Sequence, residues 1–127
     1  MTDRERAVRD GVVAGRWLIG IAAVHAAFGL WFGRGPLVGI VREGLWNTVD
    51  LEPARGLVFW FLIMSPLLAM VGQLVIASAR AGRPASRALG WQLLTFALGG
   101  AILMPASGFW LGLVPAAILL RRAPAGF

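Results

Sequence analysis

His25 is the one histidine of the chain, and it stands inside the apolar run VAGRWLIGIAAVHAAFGLWF. Imidazole titrates near neutrality and can serve as acid, base or ligand. An ionisable group in a membrane-length segment is costly and raises a functional hypothesis by its position alone. Beyond that run comes VREGLWNTVD, residues 41–50, with Arg42, Glu43, Trp46, Asn47 and Asp50. Glu43, Asp50 and Glu52 are half of the six acidic residues. At about 100° per residue, Glu43, Asn47 and Asp50 share one helical face, and Leu37, Val38, Val41, Leu45 and Val49 share the opposite one.

Two chemistries compete for these residues. In one, Glu43 and Asn47 turn inward and cap a cavity. Glu43 then pairs with His25 as the catalytic groups, and Asn47, Asp50, Trp46 and Trp60 bind a lipophilic small molecule. A carboxylate nearby favours the protonated imidazole, against the desolvation that disfavours it. In the other, the polar face looks at water, and a neutral His25 donates one hydrogen bond to a neighbouring carbonyl. No metal or cofactor is expected in either. The chain has no cysteine and one histidine, so a bis-histidine haem could form only across a dimer axis. There is no Gly-rich phosphate loop.

The elements that position these residues follow from composition. Of 127 residues, 58% are hydrophobic and 14% charged, with a mean hydropathy of +0.75. Soluble domains run about 45–50% apolar and about 25% charged. The pattern predicts a single all-α membrane domain, a four-span transmembrane helix bundle with an extra amphipathic or re-entrant helix. The spans fall at residues 12–32, 57–79, 87–104 and 108–122, and the interfacial helix at residues 36–50, opened by Gly35-Pro36. A bilayer core of about 30 Å takes about 20 helical residues. The first three spans meet that length, and the arginines after the short fourth can snorkel to extend it. Ser65-Pro66 predicts a kink near the depth of His25. Gln73 and Gln92 fall at comparable depth and are expected to bond each other.

All twelve basic residues are arginine. The sequence pI near 11.9 could suggest nucleic acid, but the arginines cluster at the ends of apolar runs, as membrane topology requires. Nine precede or open the first span, link the second to the third, or end the fourth; three, Arg34, Arg42 and Arg55, lie on the other side among Glu43, Asp50 and Glu52. The bias places both termini in the cytoplasm of a bacterial inner membrane. Cleavage as a signal peptide after Ala26 is not expected, because Phe28, Leu30, Trp31 and Phe32 continue the apolar run. RAGRPAS reads as a short cytoplasmic turn and MPASGFW as a tight external hairpin.

At HAAFGL, GLWNTVD, FWFL and MPASGFW the chain resembles an uncharacterised family of small bacterial four-helix membrane proteins, over nearly its whole length. That resemblance implies the four-span architecture and no catalytic residues. Small multidrug-resistance transporters have similar length and span number, but they carry a glutamate in the first span, where this chain has His25. Three roles remain: an assembly or partner subunit of a larger membrane complex or homo-oligomer, a membrane enzyme or binder using His25 and Glu43, and a small transporter. The topology is checked by reporter fusions after Phe127. A reporter active in the cytoplasm should give signal and one active in the periplasm should not; the reverse pattern contradicts it.

Overall fold

The computed structural model describes residues 1–83 and 85–122. Pro84, part of the expected cytoplasmic turn, and residues 123–127 lie outside the described residues. Five α-helices and one 3-10 turn follow in order: α1 Asp3–Phe32, α2 Arg34–Arg42, α3 Pro53–Arg80, α4 Arg87–Leu103, the 3-10 turn Gly108–Gly112, and α5 Leu113–Arg122. There is no strand among the described residues.

Helix α1 starts well before its apolar part because TDRE is a capping box. The Thr2 hydroxyl accepts the Glu5 N–H at 3.2 Å, and the Glu5 carboxylate accepts the Thr2 N–H at 2.8 Å. Two orphan donors are satisfied reciprocally, and the helix gains a turn and more of polar sequence. Pro53 opens α3 at its first helical position, where the missing N–H costs nothing. Ser86 caps α4 by accepting the Leu89 N–H.

Helices α1 and α3 run antiparallel along a seam of small residues. On α3 the buried Val58, Ser65, Gly72 and Ala79 recur every seventh residue, the spacing of a helix–helix seam. On α1 the seam is Gly11, Gly15, Ala22 and Gly29, all buried. At its tightest point backbone meets backbone: a β-carbon at Gly15 would lie 2.6 Å from the Gly72 carbonyl oxygen, and one at Gly72 would lie 2.7 Å from that of Gly15. Only hydrogen fits there. Close approach of this kind gains dispersion and weak Cα–H···O contacts.

Helix α1 is the central element. It packs on α3 along one side and on α5 along another, while α4 packs on α5 and the 3-10 turn; no Cα atom of α3 comes within 8 Å of one in α4. Side chains from all four close a small core towards the chain's N-terminal end, with Ala14, Leu18, Val75 and Leu119 at its centre and Leu68, Leu89 and Leu93 around it. Gln73 and Gln92, expected to bond each other, are instead exposed and make no such bond. The separation of α3 from α4 is the reason. Asp10, buried on α1, lies 3.8 Å from Arg121 of α5 and ties these helices at the same end.

Helices α1 and α3 are long and apolar enough to cross a membrane, and only 28% and 17% of their most apolar windows are buried inside the protein. The apolar stretches Arg87–Leu103 and Gly108–Arg121 are shorter. The Gly15–Gly72 crossing makes a measurable contrast with Gly20, whose β-carbon would meet nothing within 4 Å. Gly72→Ala should force the helices apart and destabilise the protein by roughly 1–3 kcal/mol. Gly20→Ala should be neutral or stabilising by up to about 1 kcal/mol. Unfolding in detergent, followed by circular dichroism, reads both.

Candidate functional site

The segment between α1 and α3 was expected to be one amphipathic helix over residues 36–50. It is a nine-residue helix followed by a structured turn. Gly44 is the cause. It takes φ +91° and closes a Schellman motif: the Leu45 N–H donates to the Ile40 carbonyl at 3.1 Å, and the Gly44 N–H donates to that of Val41 at 3.2 Å. Glycine just past the last helical residue is the commonest helix stop. Leu45 and Asn47 also take positive φ, 69° and 53°, an ordinary choice for asparagine and a strained one for leucine. Glu43, Asn47 and Asp50 therefore share no helical face.

What orders this turn is Arg55, two residues into α3 and 3% exposed. Its guanidinium grips Glu43 with both arms, Nη1 to Oε2 at 2.8 Å and Nη2 to Oε1 at 2.6 Å. Nη1 also donates to the Thr48 carbonyl at 3.1 Å. The Glu52 carboxylate stands 3.5 Å from Nε. Thr48 is itself buried and donates its hydroxyl to the Leu45 carbonyl. Helix α2 crosses over the guanidinium at Gly39, where a β-carbon would be 3.0 Å from Nη2. A buried cation is tolerated only with close partners, and the planar fork of arginine meets a carboxylate in a way lysine cannot.

Arg55 was not among the expected site residues. A signal for it existed: Glu52 and Arg55 stand three apart just before the long uncharged run 57–79, after two other carboxylates. The bidentate hydrogen bond from Arg55 holds the Glu43 carboxyl below the usual carboxylate range. Partial desolvation opposes this shift, and the guanidinium charge adds to it.

His25 is engaged elsewhere. Its Nε2 is 3.0 Å from the Phe61 carbonyl oxygen, and its ring stacks on that of Phe61 at 3.9 Å and 16°. Only the tautomer with a proton on Nε2 can donate this bond. Phe61 neighbours Leu62, whose carbonyl has lost its helical donor because residue 66 is proline. One turn on, the Ser65 hydroxyl is buried, 6% exposed, with no hydrogen-bond partner. Sequence reasoning passed it over as part of the proline kink.

The expected site residues are thus not brought together around a His25–Glu43 pair, since each of those two groups has another partner. Trp46 is 91% exposed and Trp60 is 68% exposed, the latter edge-on to Phe59 at 5.4 Å. Asn47 and Asp50 are exposed as well. No group of three or more metal-ligating side chains occurs among the described residues.

A family model matches residues 9–126. The chain belongs to DUF6463. This is a family of unknown function, in keeping with the uncharacterised family that the sequence resembles, and membership carries no activity. No characterised protein matches the chain. No solved structure matches it either.

Because the Glu43 pKa is lower folded than unfolded, its contribution is complete above the ordinary carboxylate range and is lost as pH falls through the lowered value. Measured as protection relative to the intrinsic rate, amides of residues 43–46 should exchange slowly at pH 6 and lose that protection progressively below about pH 4.5. Glu43→Gln should exchange fast at both. Equal protection in the two proteins across this range would mean that Arg55 does not hold the turn.

Proposed function

We propose that this chain is a multi-pass protein of the bacterial inner membrane, with four crossings and both termini in the cytoplasm, and that it serves as a non-catalytic partner or assembly subunit. Its outward-facing apolar windows support the membrane reading, because the core helix of a soluble protein of this size would be mostly buried. In that setting the shorter α4 and the 3-10–α5 unit complete the second pair of crossings, with Arg121 in the last turn of α5 reaching the interface.

One observation carries the subunit role. The polar groups best suited to chemistry are consumed by structure: Glu43 by Arg55, His25 by the Phe61 carbonyl. What remains free is helix surface. The side-by-side layout, with α3 and α4 at opposite flanks of α1 and α5, leaves more of that surface open than a closed bundle would.

A second reading, a binder of a lipophilic small molecule at His25, draws on the unpartnered Ser65 hydroxyl. A ligand carbonyl or hydroxyl there would satisfy it, and a buried polar group without a partner costs about 1–3 kcal/mol.

The readings separate by crosslinking in native membranes. The subunit role predicts that the chain is captured in a discrete species larger than a monomer, and that His25→Phe leaves that species intact. A monomer alone, over a wide range of expression, would contradict it. Native mass spectrometry showing a small apolar molecule retained by the parent and lost in His25→Phe would favour the binder.

A further inference from the structure

The surplus positive charge of the chain, +6, is concentrated in one place. At the end where α1 begins, Asp3 lies 3.1 Å from Arg6. Asp10 lies 3.6 Å from Arg9 and 3.8 Å from Arg121. Glu5 is engaged in the Thr2 cap. The carboxylates of this end are thus committed to α1 and α5. Arg80, Arg83 and Arg87, around the turn from α3 to α4, are exposed and have no carboxylate partner among the described residues.

Hydrogen bonds tie Arg83 back to the end of α3, and a fourth cation joins it. The Arg83 N–H donates to the Ser78 carbonyl at 3.0 Å, and the Ser78 hydroxyl donates back to the Arg83 carbonyl at 2.5 Å. Gly82 takes φ +71°. Arg4, remote in sequence, lays its guanidinium on this glycine: a β-carbon at Gly82 would be 2.9 Å from Arg4 Nη2. Trp91 follows Arg87 by one helical turn on α4 and is exposed. An indole at that level suits the boundary between headgroups and acyl chains.

We propose that Arg4, Arg80, Arg83 and Arg87 form a binding site for the phosphodiester headgroup of an anionic phospholipid, with Trp91 against its glycerol and upper acyl region. The site rests on the membrane-spanning reading. Guanidinium groups meet phosphate oxygens with paired N–H donors, and basic pockets at the cytoplasmic ends of spans attract anionic lipid. Its location selects lipid over a soluble polyanion. The cations sit where polar turn gives way to apolar helix, so a ligand with an anionic head and a hydrocarbon body meets both halves.

The test is native mass spectrometry of the full chain in detergent, titrated with phosphatidylglycerol and, separately, phosphatidylcholine. Phosphatidylglycerol should be retained at least about tenfold more tightly, and less so as salt rises. Arg83→Gln with Arg87→Gln should lower that affinity on the order of tenfold or more. Arg4→Gln alone should lower it severalfold. Arg34→Gln with Arg42→Gln, the same charge change at the opposite end, should leave it unchanged, with unfolding temperatures confirming that all variants fold. Equal retention of both lipids, or equal losses in the two double variants, overturns the site. Inorganic phosphate competing as well as the lipid would make it a free-phosphate site, and preferential capture of an RNA oligonucleotide would make it a nucleic-acid site; either overturns the lipid assignment. Carbonate washing of native membranes is read separately, since release of the chain would sink the membrane reading itself.

Discussion

Arg55 sets the terms for the end of the molecule where α3 begins. It brings a full positive charge to the start of a long apolar helix, at a point where the chain buries it almost completely. Such a charge needs close partners. The loop before α3 answers with the Glu43 carboxylate, the Thr48 carbonyl and the Glu52 carboxylate. The helix above answers by placing Gly39, which has no side chain, over the guanidinium. The Schellman stop at Gly44 and the left-handed residues after it fold the chain back so that Glu43 and Thr48 reach the same cation. Glu43, which looked like half of a reactive pair, is the main counter-charge of one arginine.

The same demand explains the interior. In the membrane setting proposed for the chain, burying more apolar surface gains little, and association depends on close contact and on satisfying polar groups internally. The glycine crossing of α1 and α3 provides the contact. The bond from His25 to the Phe61 carbonyl provides the second, next to the place where Pro66 removes a donor from the α3 ladder. Glu43 and His25 belong to different local networks.

How far the sequence could be read follows from what each residue requires. The α3 helix was legible because the long uncharged run from Leu57 to Ala79 permits little else, and the helical character of α4 and α5 followed from the same hydropathy. The true start of α1 was written in Thr2 and Glu5, as a capping box that hydropathy alone overlooks. The end of α2 was written in Gly44, a local stop that outweighs the amphipathic spacing continuing through Asn47 and Asp50. Arg55 was visible as a charge but not as a hub, because its partners Glu43 and Thr48 are joined to it by a reversal of chain direction, which periodicity does not encode. Trp60 looked able to line a pocket, yet it is turned outward on α3, opposite the seam that Val58 and Ser65 occupy.

A double-mutant cycle on Arg55 and Glu43, read as unfolding free energy in detergent at pH 7, bears most directly on this account. If Glu43 exists to meet Arg55, Arg55→Met and Glu43→Gln are coupled. Glu43→Gln leaves a buried cation short of its main partner and should destabilise strongly, while adding it to Arg55→Met should cost almost nothing. Strictly additive effects, with Glu43→Gln equally costly in the presence and absence of Arg55, would contradict the account and return Glu43 to the list of groups held in readiness for something else.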